Sequence, residues 1–266
     1  MAEARPTHGV EWAIAGAVVS FLGLVVVLPL ISLVATVGRA PWEAVAGLST
    51  GEAVNALGLS AAVAAIALAV NGVFGVVGGL ALVRHRFPGR RLLDWLVDLP
   101  LAVSPVMTGL GFLLLFGRTG FLGPVLERLD VQVAFAVPGA IVATLFVTLP
   151  FTVREVALVA EEVGTVEEEV AATLGATAAQ SFWRVTLPKI RHGVVLGVTL
   201  TVARALGEFG AVLVLGGAIT NRTMTATTYI HAAIEGRQTS AGFGMALVLA
   251  ATSVLLMSAV QRRTSR

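Results

Sequence analysis

Residues 154–192 read REVALVAEEVGTVEEEVAATLGATAAQSFWRVTLPKIRH, a polar stretch between two long apolar ones. The contrast decides the fold class. Of the chain's 266 residues, 56% are hydrophobic and only 13% are charged. The mean hydropathy is +0.89. A chain of this length and polarity is too apolar for a soluble domain and reads as an all-α integral membrane protein. One large water-facing segment in such a chain is where a soluble partner is expected to grip.

Outward from that stretch, the apolar runs fall at 12–37, 53–83, 92–116, 131–153, 193–217 and 241–260. A helix needs about 20 apolar residues to cross a hydrocarbon core of roughly 30 Å, so these runs predict six spans in a single domain, 1–266, with 154–192 as its one large loop. The first run follows Arg5 and His8. It exceeds the roughly 7–15 apolar residues of a cleaved leader, so a retained helix is expected, kinked at Pro29. The second run is long enough to tilt or to begin outside the hydrocarbon. The third carries Asp94, Asp98, Pro100 and Pro105; its first half is therefore not expected to be a regular helix facing lipid.

Six spans put both termini on one side. Of the 18 Lys and Arg, Arg204 falls inside a span. Arg39, Arg118, Arg128, Arg222 and Arg237 fall on one side and the other twelve, Arg5 and Arg266 among them, on the opposite side. The positive-inside rule then makes 154–192 and both termini cytoplasmic. The sequence pI of about 9.9 follows from this topology. With a formal net charge of only +2, no nucleic-acid partner is implied. Cysteine is absent and the four histidines, at 8, 85, 192 and 231, show no ligand spacing, so no metal site is expected.

Small residues recur every four positions at Gly75 and Gly79, at Gly193 and Gly197, and through Ala203, Gly207 and Ala211. Such spacing permits close helix approach in lipid. Arg204 and Glu208 lie four apart in the fifth run. Sharing a helix face, they are expected to pair, either as a brace or gate-positioning element or with Arg204 beside an anion path and Glu208 preventing the ion from being trapped. Ser104 and Thr108 flank Pro105 and offer hydroxyls to a permeating oxyanion or to their own helix carbonyls. Asp94 and Asp98 share a face beside Arg90 and Arg91, where an interfacial charge network is expected.

Within 154–192, Glu167, Glu168 and Glu169 favour the positive end of a short helix, Ala171 and Ala172 leave a shallow face, and Gly175 can end the helix. Leu187-Pro188 is expected to stop a second loop helix just before the fifth span.

From Glu169 through Ala171, Ala172 and Gly175 to Leu187-Pro188, this register resembles the EAA motif of ABC importer membrane subunits, with Val170 and Val185 in place of Ala and Ile. Phe87-Pro88-Gly89-Arg90, Asp98-Leu99-Pro100, Phe116-Gly117-Arg118, Leu122-Gly123-Pro124, 143–148 (ATLFVT), Phe182-Trp183-Arg184 and 203–211 (ARALGEFGA) resemble the W-type subunits of sulfate/thiosulfate permeases. The resemblance runs from about residue 53 to about 230. It implies a type I importer (MetI-like) bundle that moves sulfate or thiosulfate inward by alternating access. It also implies two ABC ATPase subunits, a second permease of T-type or an identical chain, and an extracytoplasmic sulfate-binding protein. There is no Gly-x-x-x-x-Gly-Lys-Ser/Thr loop. ATP and Mg are therefore expected at the partner ATPase, with no cofactor on this non-catalytic chain. A molybdate or tungstate permease shares this architecture. A secondary transporter would need no ATPase, and an intramembrane enzyme would need a nucleophile or metal ligand beside Arg204 and Glu208.

Overall fold

The computed structural model describes residues 8–264 and is helical throughout, with no strand among the described residues. In chain order the helices are α1 (His8–Leu22), α2 (Leu28–Arg39), α3 (Pro41–Leu48), α4 (Gly51–Arg84), α5 (Arg90–Ala102), α6 (Pro105–Phe116) and α7 (Gly123–Arg128). Then come α8 (Val137–Val163), α9 (Val166–Thr173), α10 (Ala178–Ser181), α11 (Leu187–Leu206), α12 (Gly210–Gly216), α13 (Ala226–Glu235) and α14 (Thr239–Thr264). Among the described residues, four helices are long and apolar enough to cross a membrane. Two bent pairs, α5 with α6 and the helix Ala178–Leu206 with α12, bring the number to six when each pair counts as one span. Arg5 and Arg266 lie outside the described residues.

Proline chemistry places the irregularities. A proline ring removes one N–H and clashes with the carbonyl four residues back, so the helix must widen, bend or stop. Before Pro29 and again before Pro188 it widens into a five-residue π turn, Gly23–Val27 and Phe182–Thr186. Leu187-Pro188 thus does not stop a loop helix: α10, the π turn and α11 form one helix, Ala178–Leu206. Before Pro105, Val103 and Ser104 are extended (ψ 135° and 137°), as a residue preceding proline prefers. The chain turns by 115° there. The first half of the third run is nonetheless a regular helix, α5, with Trp95 71% exposed and Pro100 buried. The irregularity expected of that half is confined to the two residues after it.

The second run begins at Thr50, whose hydroxyl accepts the Ala53 N–H, and continues for 34 residues to Arg84. At 1.5 Å per residue this is about 51 Å, longer than a bilayer core, so α4 tilts or projects beyond it.

At the centre, α8 is pressed between α4 and α11. A Cβ added at Gly75 would lie 2.5 Å from the Thr152 side chain, and at Gly79 2.8 Å from the Val153 carbonyl. At Gly193 it would meet the Glu155 carbonyl at 2.6 Å, and at Gly197 the Thr152 Cα at 2.8 Å. The α8 face so approached carries Thr144, Thr148 and Thr152, all fully buried. Burial of hydroxyls is tolerable because each is bonded: Thr144 and Thr148 donate to carbonyls one turn back, and Thr152 pairs with Thr201 at 2.9 Å. Asn71 of α4 donates to Thr148 Oγ1 and to the Leu145 carbonyl. Of the third small-residue series, Ala211 packs against Gly109, whereas Gly207 is exposed, its nearest added-Cβ neighbours 3.8 Å away. The helix Trp12–Arg39 has no buried residue in its apolar window; most of its apolar side chains are exposed, with Leu33 and Val37 half-buried.

The stretch 154–192 is mostly helical. α8 runs ten residues past 153, and the helix leading into the fifth span starts at Ala178. Only 164–177 leaves the long helices, and α9 fills most of it. The difference from the expected loop has a physical cause: Arg154, Glu155, Glu161 and Glu162 are polar, but on a helix that outruns the hydrocarbon they need no loop.

Candidate functional site

α8 is turned into α9 by Gly164, at φ +63° and ψ −165°, a conformation open essentially to glycine alone. Thr165 follows, its hydroxyl donating to Glu169 Oε1 at 2.7 Å, so the first turn of α9 closes on itself. The acids Glu167, Glu168 and Glu169 lie in that first turn, where the helix dipole favours them. At the other end the Ala176 N–H reaches the Ala171 carbonyl and the Gly175 N–H reaches the Ala172 carbonyl, both at 3.0 Å. This is a complete Schellman closure, with Gly175 in the left-handed region at φ +83°. Thr177 and Gln180 then form a capping box that starts α10. The exposed apolar row is Val166, Val170 and Leu174, at 67%, 52% and 83% exposure, with Ala172 exposed and Ala171 half-buried between them. The two alanines are only part of this face: Val166, Val170 and Leu174 fall on it at helical spacing and carry most of its exposed apolar surface.

Four bonds that sequence spacing alone does not show hold α9 and the turn before it against the bundle. Arg84, in the last turn of α4, donates from Nη2 to the Gly164 carbonyl at 2.5 Å and lies 3.3 Å from Glu168 Oε1. The same Glu168 oxygen accepts the hydroxyl of Thr186, the last residue of the second π turn, at 2.9 Å. Glu167 pairs with Lys189 of α11, and the hydrogen bond from Lys189 holds its carboxyl below the usual carboxylate range, so it is ionised and paired at neutral pH.

The charge network expected between Asp94, Asp98 and Arg90-Arg91 has a different centre. Arg154 of α8 takes both carboxylates: Asp98 through Nε and Nη2 at 2.7 and 2.6 Å, Asp94 through Nη1 at 2.7 Å. The fork geometry of a guanidinium suits this bidentate grip. It ties α5 to the same helix that carries α9.

Arg204 and Glu208 do pair, Nη1 to Oε2 at 2.6 Å, with Glu208 fully buried. They do not share one unbroken helix: α11 ends at Leu206, and the chain bends by 59° before α12. Glu208 Oε1 accepts the Ala211 N–H at 3.1 Å, and its backbone carbonyl accepts the Thr227 hydroxyl at 2.6 Å. The buried carboxylate thus ion-pairs with the guanidinium through Oε2 and hydrogen-bonds a free amide at the start of α12 through Oε1. Ser104 and Thr108 sit on the other bent pair. Thr108 is buried and donates to the Ser104 carbonyl at 3.2 Å, and Ser104 is exposed at the start of α6. The two breaks meet, since a Cβ at Gly210 would lie 3.2 Å from Pro105 Cβ. Among the described residues no hydrogen bond joins Arg204 to Ser104 or Thr108.

Residues 72–265 match the family described as binding-protein-dependent transport system inner membrane component. The chain is similar to the sulfate transport system permease protein CysW of Synechococcus elongatus, 46% identical over 76% of this chain and 71% of that one. In Escherichia coli K12 it is similar both to CysW (37% identical, covering 96% and 88%) and to the sulfate transport system permease protein CysT (39% identical, covering 92% and 89%). Its fold is similar to a chain of a bacterial ABC transporter involved in the import of the acidic polysaccharide alginate, with TM-score 0.79 and 16% identity over 97% and 95% of the two chains. It is also similar to a chain of an inward-facing methionine ABC transporter, with TM-score 0.58 and 17% identity over 85% and 97%. The helical bundle is therefore of the MetI-like importer type, and the chain belongs to the family of binding-protein-dependent transport system inner membrane components.

Proposed function

We propose that this chain is the membrane-spanning permease subunit of an ATP-driven importer for sulfate or thiosulfate. The observation that carries the reading is α9, a short helix with an exposed apolar row, closed at Gly175 and fixed to two spans, in a chain of this transporter family. The names of the similar permeases support sulfate as the cargo class.

On this reading α9, with Glu169, Ala171, Ala172 and Gly175, seats in a separate ATPase subunit. Leu187-Pro188 lies in the helix Ala178–Leu206, which runs from just beyond α9 into the fifth span. Two ATPases sit beneath a pair of permeases, the second being a T-type chain or a copy of this one. An extracytoplasmic sulfate-binding protein delivers the anion, and both termini and α9 face the cytoplasm. ATP and Mg belong to the ATPase. Closure of the ATPases on ATP draws the two α9 helices together and rocks the bundles between inward-open and outward-open, a rigid-body switch. The coupling is thermodynamic, because α9 must fit the ATPase differently in the two states for any work to pass.

Arg204, Glu208, Ser104 and Thr108 are assigned to the translocation path or its gate. For Arg204 and Glu208 the geometry supports a brace: one carboxylate oxygen meets the guanidinium and the other holds the start of α12.

The test is uptake of labelled sulfate by proteoliposomes holding this permease, its co-expressed partner permease, the ATPase and the binding protein. Uptake should require ATP and be competed by thiosulfate more strongly than by molybdate or tungstate. Competition in the reverse order assigns a molybdate or tungstate permease. Uptake without any ATPase assigns a secondary transporter.

A further inference from the structure

Glu167, Glu168 and Glu169 are consecutive, yet each has a different partner. Glu169 closes its own helix through Thr165, Glu167 meets Lys189 at the exposed surface, and only Glu168 reaches into the bundle. An eight-residue helix has little stability of its own, so its orientation is whatever its tethers impose. Those tethers are unequal. The Glu167 side chain is 53% exposed, and a pair of that kind contributes little. The Arg84 side chain is only 11% exposed and that of Glu168 23%, and a charge-assisted bond in such a setting is the stronger restraint.

One oxygen, Glu168 Oε1, takes donors from two different elements: Arg84 from the last turn of α4 and Thr186 from the π turn entering α11. The Arg84 Nη2 also holds the carbonyl of Gly164, the residue whose glycine-only conformation redirects the chain from α8. α4, α8, α9 and α11 therefore converge on a single guanidinium and a single carboxylate. We propose that Glu168, through Arg84 and Thr186, is the positioning residue by which displacement of α9 is passed to the second and fifth spans rather than dissipated in bending of the turn at 164–165. The assignment rests on α9 being the ATPase-docking element. It adds that docking and transmission are separate: the outward row of α9 docks, and Glu168 on the opposite side transmits.

The experiment uses the complete reconstituted transporter and reads anions taken up per ATP hydrolysed, alongside ATPase co-purification. Glu168→Gln and Arg84→Gln should each keep the ATPase bound and keep hydrolysis running, but lower the uptake-to-hydrolysis ratio by roughly tenfold, the scale of one lost charge-assisted bond. The double variant should be no worse than the poorer single, because both remove the same interaction. Glu167→Gln should stay within about twofold of wild type, since it removes only an exposed pair. Thr186→Val, which keeps both charges, should lower the ratio less than Glu168→Gln does. An unchanged ratio in Glu168→Gln, or a double variant whose loss is the product of the singles, overturns the proposal. Loss of the ATPase from Glu168→Gln also overturns it, by placing Glu168 in the docking surface. Failure of the docking reading itself shows differently: the wild-type permease would then carry no ATPase.

Discussion

Gly175 stands at φ +83° with no heavy atom within 4 Å of where a Cβ would be. Space does not forbid a side chain there; backbone conformation does, since the left-handed region costs an ordinary residue about 1–2 kcal/mol. A β-branched residue is worst and asparagine mildest. Gly175→Val should therefore insert in the membrane and yet lose both uptake and ATPase co-purification, with Gly175→Asn close to wild type. Affinity capture of the ATPase from solubilised membranes checks both, and full capture by Gly175→Val would break the link between α9 and docking. This residue was legible in the sequence because its signal is local: an acidic first turn, two alanines and a glycine at helical spacing. Arg84 was not, because its partners are 80 and 84 residues away and nothing in its own neighbourhood of basic residues sets it apart. Glu208 was legible as a partner for Arg204 but not as the cap of α12, since the break after Leu206 carries no proline to announce it.

At the scale of elements, glycines at equal sequence spacing do unequal work. Gly197 is pressed on the Thr152 backbone, while Gly207 faces outward with its nearest neighbours at 3.8 Å. Gly197→Val should lower the stability of the solubilised protein by at least the roughly 1–3 kcal/mol typical of overpacking. Gly207→Ala should leave it unchanged. Thermal unfolding in detergent compares the two, and equal melting temperatures would contradict the α8–α11 contact. Four-residue spacing shows that two helices can approach but not which copies of the motif are used. The π turns were likewise beyond sequence reasoning. Pro29 and Pro188 signal that a helix must yield, but not whether it stops or widens: both are met by a π turn, although α11 beyond Pro188 packs on α8 through Gly193 and Gly197 and α2 beyond Pro29 has no buried residue. The 115° turn at Ser104, in contrast, follows from a proline whose preceding residues are free to extend.

Over the whole molecule, the number and order of apolar runs could be read from hydropathy because lipid imposes one length on every crossing. Their ends could not, because helices that outrun the bilayer change polarity without changing structure; α8 continues to Val163 for that reason. The first helix, Trp12–Arg39, has no buried residue in its apolar window, so the core owes it little. Removing residues 1–39 should shift the melting temperature of the remaining bundle by no more than about 2–4 °C, the scale of 1 kcal/mol in a chain this long. A larger drop would mean that the small contact of α2 with α14 carries more than its exposure indicates. The length of α4 has a mechanical consequence. Arg84 ends a rod of about 51 Å that α8 approaches most tightly at Gly75 and Gly79, nearer to Arg84 than to Gly51, so the rod acts as a lever with its longer arm on the far side. A swing of only about 5° carries the far end roughly 4 Å relative to the near one. A push on α9 too slight to disturb its own hydrogen bonds is thus magnified at the opposite membrane face.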